Sequence, residues 1–462
     1  MTTSKITLLR VEIELLQPWA VGGVADLNDT IDLPVQRDPR SEPSLPYVPS
    51  TSLIGALRRH LEPNLGDDCV KWLGPLPVPH EQSTGSVVRT ASRLRALGTR
   101  VVAGQQIVAF GSTQIDPKRR AAAGGTLRTE QRVEALTRAD EGRPAPTLAW
   151  YLQHDGEADS ALLDCLEKWQ PYVGRRRSSG HGRARVSRVV AFTVDLTNPD
   201  GLTWWLEGRH GWLEGCGNPP RDVTVVERHG AALAGPAWHK SFDWKVVEPV
   251  HIGANKGETT GAPASTDGSK AAPGLTRKAS NAPVIPGTTW KGLFRHRIDA
   301  ILRLCGATDE ECTSVSGRLF GRSGQSRART TGHRGCLRFL DAALTTPDGR
   351  KPARLVVRTH VAIDRISGGA HEGLLFAVEA VDEGARAVGV IESDTLLPPE
   401  VENLLHHVVR DIHDGFLGVG AGTTRGYGRL ACASGSAPTV TPIDVGAIVR
   451  WAEGSGVQGR QK

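Results

Sequence analysis

The sequence predicts an α+β protein made of two tandem copies of one unit of about 200 residues, each carrying long loop insertions. Three observations predict it. The text VGRRRSSGHGRA at 173–184 returns as VGAGTTRGYGRL at 419–430, so that Val173, Gly174, Gly180, Gly182 and Arg183 fall on Val419, Gly420, Gly426, Gly428 and Arg429. The text PYVPSTSLIGALRRHLE returns as PVIPGTTWKGLFRHRID, with Pro46, Pro49, Gly55, Leu57 and Arg58 falling on Pro283, Pro286, Gly292, Phe294 and Arg295. A strand exit with Pro18 and Gly22 returns with Pro249 and Gly253. Pro49 and Pro286 stand 237 positions apart and Gly174 and Gly420 stand 246 apart, so the motifs repeat in order at nearly constant separation.

Residues 6–16 alternate apolar and polar side chains and read as a strand. A loop rich in Pro, Asp and Gly follows, longer than a compact domain normally uses. At its end Ser50, Thr51 or Ser52 can cap a helix whose apolar face is Leu53, Ala56 and Leu57. Residues 85–111 read as strands with arginines between them, and 115–135 as a hairpin or arm carrying Lys118, Arg119, Arg120 and Arg128. A strand (TLAWYLQ), a helix around 161–170, the first glycine loop and a strand at 184–196 close a first unit at 1–196. Residues 197–238, with Trp204, Trp205 and Trp212, read as a connector whose tryptophans pack between the two units rather than stack on bases. The plan restarts in a second unit at 239–436, with an arm at 363–385 where Ile363 and Asp364 stand against Ile115 and Asp116, and a tail occupies 437–462.

Composition narrows the function classes. Hydrophobic content of 39% and charged content of 23% are those of a soluble globular chain. The formal charge of +6 is mild and proves nothing about nucleic acid by itself, although the basic residues are mostly arginine, the better bidentate phosphate ligand. Seven cysteines without a CxxC pair point to a reducing cytoplasm. Arg10, Glu12 and Glu14 do not suit the apolar region of a signal peptide, and no apolar run approaches the roughly 18 residues of a membrane span.

Glycine at the density of the two repeated loops means backbone at φ > 0 or backbone that something approaches closely. Amides beside guanidinium groups suit a phosphate chain, which marks Gly180, His181, Gly182 and Arg183, and Gly420, Arg425, Gly426, Tyr427, Gly428 and Arg429, as candidate contacts. The first copy adds Arg175, Arg176 and Arg177 and is, on sequence, the more electrostatic of the two grips. The two helix N-termini are further anion sites, with Ser50, Ser52 and Arg58 in the first unit and Thr288, Lys291 and Arg295 in the second. GVGAGTTRG is not a Walker loop, because no Lys-Ser/Thr follows its glycines at the needed offset.

These residues resemble the RAMP superfamily, the ferredoxin-like RNA-binding proteins of CRISPR–Cas effector complexes. The strand with its glycine exit, the two helix segments (family form close to P-Y-I-P-G-S-S-L-K-G-x-L-R) and the glycine-rich loop in both halves carry the resemblance, which covers nearly the whole chain outside the connector. The nearest likeness is to the repeating backbone subunit of type III complexes, here with two copies in one polypeptide. The resemblance implies paired βαββαβ (RRM-like) units lined up along a CRISPR RNA and gripping its backbone, with other complex subunits and a complementary target RNA as partners. Low aromatic content (5%) fits backbone gripping better than a base-stacking platform. The arms correspond to the family's thumb, and Lys118 and Arg119 would contact RNA there.

In active type III backbone subunits an aspartate in the first long loop is needed to cleave target RNA, in a context near G-x-D-N-P-V-x-[RK]-D-P. Here the chain reads TIDLPVQRDP, which gives Asp32 the catalytic position and Arg37 a contact to RNA, with Leu33 where the family often has Asn. The resemblance implies a divalent cation, Mg2+ in the first instance, beside a carboxylate that holds metal or water or orients the attacking 2′-hydroxyl. Asp32 as a mere turn cap before Pro34 is the plainer alternative, and Asp26 and Asp29 are rivals. The second loop offers Glu258 and Asp267 outside any such context, which implies one active unit and one that only binds. Two other readings stay open: a non-catalytic scaffold of the same architecture, and a ribonuclease that processes the precursor transcript with His181 or His60. Cys305, Cys312, His333 and Cys336 have no usual zinc spacing and read as buried thiols.

Overall fold

The computed structural model describes residues 4–25, 31–41, 44–66, 68–75, 92–101, 106–116, 121–134, 147–157, 159–221, 223–253, 282–322 and 332–454. Lys118, Arg119, Asp26, Asp29, Glu258 and Asp267 lie outside the described residues.

The first strand, Lys5–Leu15, sits at the middle of a five-stranded sheet because its two side-chain sets both find cover. Leu9, Val11, Ile13 and Leu15 are buried on one face with Leu53, Leu57 and Leu61 of the helix Ser50–Leu65 and Leu162 and Leu166 of the helix Ser160–Glu167. On the other face Leu8 is buried, and Arg10, Glu12 and Glu14 pair within the sheet, Arg10 with Glu12 at 2.6 Å and Glu14 with Arg185 at 2.6 Å. Val11 lies opposite Trp150 of Thr147–Asp155 and Val189 of Ala184–Asp195, both strands antiparallel to it. Leu94–Val101 pairs outside Thr147–Asp155. Numbered by chain position, these four strands run second, third, first, fourth across the sheet, all antiparallel.

The second unit repeats that order. Trp238–Val246 lies between Arg386–Ser393 and Leu430–Cys432, and the short strands Leu337–Phe339 and Ala342–Thr345 pair on the far side of Arg386–Ser393. The helices Gly287–Leu304 and Pro399–His413 fall where Ser50–Leu65 and Ser160–Glu167 fall in the first unit. Pro399–His413 buries Val401, Leu404, Leu405, Val408, Val409 and Ile412, a single stripe at helical spacing. The helix that follows, Asp309–Phe320, is longer than its counterpart Asp68–Leu73 and starts at a capping box between Thr308 and Glu311. The tail contributes a helix, Val445–Glu453, capped by Asp444, whose Ile448 and Val449 join the second core.

Two places depart from the sequence expectation. The stretch expected to be a connector covers the outer face of the first sheet. Val225–His229 pairs with Ala184–Asp195 as a fifth strand, and Trp212, from the short helix Arg209–Leu213, is buried edge-on to Tyr151 and Phe192 at 5.0 and 5.3 Å. The polar strand residues on that face had concealed the apolar set Leu8, Tyr151, Phe192 and Val194 that needs this cover. The expected side-chain caps at Ser50, Thr51 or Ser52 are also absent: Pro49 holds the N-cap position with no side-chain cap, and Ser50 Oγ is buried without a hydrogen-bond partner among the described residues. No helix among the described residues is long and apolar enough to cross a membrane.

Trp212→Ala tests whether the outer layer belongs to the first unit. Removing this buried ring should lower the unfolding free energy of the full chain by about 3 kcal/mol. A loss under about 0.5 kcal/mol in chemical denaturation, the level of an exposed position, would show that the layer does not stabilise the sheet.

Candidate nucleic-acid interface

The two glycine loops share one backbone circuit. In the first, Val173 N–H donates to Gly182 C=O (2.7 Å), Gly182 N–H to Pro18 C=O (2.7 Å) and Arg175 N–H to Ala20 C=O (2.8 Å). In the second, Val419 N–H donates to Gly428 C=O (2.8 Å), Gly428 N–H to Pro249 C=O (2.8 Å) and Ala421 N–H to His251 C=O (2.9 Å). Each loop is thus laced to the exit of its unit's first strand. Gly182 and Gly428 have φ of 75° and 79°, and a Cβ on either would stand 2.0 or 2.2 Å from the carbonyl oxygen of Val173 or Val419. Glycine is required there by the fold itself, and these amides are engaged within the chain rather than open to a phosphate.

The arginines of the first loop also turn inward. Arg175 Nη2 donates to Leu33 C=O (2.6 Å) and Gln131 C=O (2.9 Å). Arg176 Nε and Nη2 bind the buried Glu130 at 2.8 and 2.5 Å, and its guanidinium lies 4.9 Å from the Phe110 ring centroid. Burial works against the ionised Glu130, yet Arg176 and Ser112 beside it hold the carboxyl below its usual range. Arg177 Nε donates to Gly174 C=O at 3.0 Å, and Arg183 Nη2 to Ala234 C=O at 2.9 Å. In the second loop Arg425, Gly426 and Arg429 are exposed, so the copy with fewer arginines presents more of them to solvent. Gly180 explains the difference: it lies under Leu340 of the second unit, whose Cδ2 would be 2.2 Å from an added Cβ.

Asp341 of the second unit fastens this seam. Its Oδ1 accepts Gly287 N–H (2.8 Å), capping the helix Gly287–Leu304, and its Oδ2 stands 3.0 Å from Arg132 Nη1 and 3.5 Å from His181 Nε2. Arg132 comes from the strand Arg128–Val133 and also pairs with Glu134 at 2.7 Å. Burial opposes ionisation of Asp341, but His181, Arg132 and the Gly287 N–H together hold its carboxyl far below the usual carboxylate range. His181, expected from sequence to touch RNA, is instead 4% exposed and faces this carboxylate. Arg183 adds a 3.4 Å contact to Glu392 across the same seam.

Asp32 is exposed, and its Oδ2 accepts Thr129 N–H at 2.7 Å. The segment carrying it runs beside Arg128–Val133: Leu33 N–H donates to Thr129 C=O and Gln131 N–H to Leu33 C=O, both at 3.0 Å. Arg175 therefore ties the Asp32 segment to the first glycine loop through Leu33 C=O. Arg37, exposed, donates to Ser44 C=O at 3.1 Å. Arg58 is turned inward, to the carbonyls of Leu73 (2.6 Å) and Gly74 (2.9 Å), while Ser52 is half-buried. In the second unit Thr288 and Arg295 are exposed, and Lys291 is lowered to about 8 by burial and by Arg295.

The second arm, expected over 363–385, is a hairpin that begins earlier, at Leu355. Leu355–Ile363 and Ala370–Val381 form a two-stranded hairpin whose turn is held by Asp364 Oδ1, which accepts the N–H groups of Ile366 and Ser367 at 2.9 and 2.7 Å. Ile363 and Ile366 at its end are 59% and 98% exposed. Tyr427 of the second glycine loop packs beneath the hairpin, its hydroxyl 2.5 Å from His360 Nε2. The arm was legible as text, whereas its first strand, Leu355–Ile363, and the packing of Tyr427 beneath it were not. His333 Nε2 lies 3.1 Å from Gly317 C=O, and no group of three or more His, Cys, Asp or Glu suited to a metal occurs among the described residues.

A family model described as the RAMP superfamily matches residues 12–185 and 244–431. No curated protein matches the chain.

The seam makes two predictions about Asp341. Asp341→Ala leaves Arg132 buried with half its partners and uncaps a helix, and should cost about 3 kcal/mol of unfolding free energy. Because the folded carboxyl titrates below the unfolded one, its contribution is complete above about pH 4 and is lost as pH falls through the folded value. In urea titrations the gap between the wild type and Asp341→Asn should shrink below about pH 4; a gap constant from pH 7 to 3 would refute the assignment.

Proposed function

Because the chain belongs to the RAMP superfamily, we propose that it is a tandem backbone subunit of a type III CRISPR–Cas effector complex, which binds CRISPR RNA and cleaves guide-paired target RNA with Asp32. The observation that carries this reading is the double match, over 12–185 and 244–431, to a family of CRISPR-associated RNA-binding subunits. The shared strand order, second, third, first, fourth, with a helix after the first and after the third strand in each unit, supports a duplicated ferredoxin-like fold. The partners are CRISPR RNA, target RNA and the other subunits of the complex, in the cytoplasm, where seven unpaired cysteines are at home.

The first unit carries the chemistry. Asp32 is exposed at a segment tied down by Thr129 N–H and, through Leu33, by Arg175. A fixed, exposed carboxylate can orient the target's 2′-hydroxyl for in-line attack on the adjacent phosphorus and accept its proton, while the P–O5′ bond breaks and the leaving 5′-oxygen takes a proton from water, giving a 2′,3′-cyclic phosphate and a 5′-hydroxyl. Asp32 would also hold the divalent cation. One carboxylate fits Mg2+, which usually takes one or two from the protein and the rest from substrate phosphates and water. When bound, the cation offsets charge on the phosphate oxygens. The second unit, with Thr288, Lys291 and Arg295 at its helix, Arg425 and Arg429 in its loop and the apolar-tipped hairpin, binds without cutting. The hairpin suits the thumb role, in which an apolar tip enters the guide–target duplex.

Asp32→Ala in the assembled complex should leave guide binding intact and slow target cleavage by at least about a hundredfold; wild-type cleavage would rule out the catalytic role. Lys291 gives a second test. Burial holds it near 8 in the free protein, so RNA affinity should begin to fall as pH rises past about 8. Lys291→Arg, which stays charged, should flatten that fall; an unchanged pH profile would remove Lys291 from the RNA surface.

A further inference from the structure

The second unit holds a polar pocket that meets the backbone grip only at Arg295. It lies between the helices Gly287–Leu304 and Asp309–Phe320, with a volume of about 100 Å³. Arg295, Asp299 and Arg303 succeed one another at four-residue spacing on one face of the first helix, Ser316 comes from the second, and Arg322 stands after it. Two of its atoms are anomalous. Asp299 Oδ1 and Ser316 Oγ are buried side by side, neither with a well-formed hydrogen bond among the described residues, and Ser316 as a whole is 4% exposed. Buried polar atoms are nearly always satisfied, so a pair of them in a pocket marks where a ligand's polar groups would go.

We infer that this pocket takes the ribose and phosphate of a ribonucleotide. The chemistry is complementary on both sides. A ribose hydroxyl both donates and accepts, so it can donate to Asp299 Oδ1 and accept from Ser316 Oγ, which a deoxyribose cannot do at that carbon. Three guanidinium groups around one carboxylate leave an excess of positive charge for a phosphate, and Arg303 already has a partner outside the pocket in Asp309, at 3.1 Å. Burial raises the Asp299 carboxyl above its usual range, with Arg295, Arg303 and the Ser316 hydroxyl opposing it only in part, so a ligand that donates to it completes the compensation. A fully deprotonated oxyanion such as sulfate would satisfy the arginines but bring only acceptors to Asp299. The inference rests on the RNA-binding reading and adds to it a site that tells RNA from DNA.

The ribose phosphate has two possible sources, a residue of the bound RNA strand or a free mononucleotide, and the test separates them. Binding of a guide-length RNA and of its all-deoxy counterpart is measured on the full chain and on Asp299→Asn, Ser316→Ala and the exposed Arg322→Gln, with and without millimolar AMP. The preference for RNA over DNA should fall about tenfold in Asp299→Asn and Ser316→Ala, the loss of one hydrogen bond to a charged or buried partner. In Arg322→Gln, which removes only an exposed charge, RNA affinity itself should fall. If AMP also shifts the melting temperature of the wild type and not of Asp299→Asn, the pocket takes a free nucleotide; if AMP does nothing while the preference falls, it takes a residue of the strand. RNA preference unchanged in all three variants, together with no AMP shift, overturns the pocket and leaves the RNA-binding reading standing. A wild-type chain that binds no RNA overturns that reading, and an AMP shift lost in Asp299→Asn would then keep the pocket alone.

Discussion

The contact on which the rest of the molecule depends is the buried carboxylate of Asp341. It caps the leading helix of the second unit at Gly287 and receives Arg132 and His181 from the first. Three elements are thereby held in one arrangement: the arm strand that lies beside Asp32, the first glycine loop, and the helix carrying Lys291 and Arg295. Two units joined only by covalent chain would be free to reorient, and a strand of RNA would then meet them in no fixed register. A buried ion pair adds little net stability, since desolvation offsets most of its attraction, but it penalises every arrangement in which one member is left alone. Here that property fixes how the two halves stand.

The same seam accounts for the unequal loops. Both are built by the same hydrogen bonds, from Val173 and Gly182 in one and Val419 and Gly428 in the other, to the exit of the unit's first strand. Their shared glycines are therefore a property of the fold, set by positive φ and close carbonyl approach. What differs is what covers them. The second unit lies over the first loop at Gly180, and the arm strand takes Arg175 and Arg176, so its arginines serve to hold Asp32's segment in place. At Gly426, the counterpart of Gly180, an added Cβ would meet nothing within 4 Å among the described residues, and Arg425 and Arg429 are exposed.

Much of this was legible in the sequence. The duplication was written in Pro49 and Pro286 and in the paired loops, and the central strands in the alternation from Ile6 to Leu15. Those signals are local and periodic, and local order is what a sequence displays. Partners distant in the chain were not legible. The text gives no sign that Arg58 turns to the carbonyls of Leu73 and Gly74, that Arg176 meets Glu130, or that a helix beginning after Pro286 is capped by a residue 54 positions later. The outer layer was missed for a related reason: Trp204 and Trp212 advertise packing between units, but their partners Tyr151 and Phe192 are distant in the chain, on a sheet face where the central strand shows the charged Arg10, Glu12 and Glu14.

The central claim is that two units, held in register by the seam, bind one strand of RNA. The nucleic acid that accompanies the chain, purified with its natural partners and then digested with nuclease, tests it most directly. The account predicts one defined small RNA, protected without a break across the length served by both units. Protein that comes away free of nucleic acid, or RNA of random sequence and length, would contradict it.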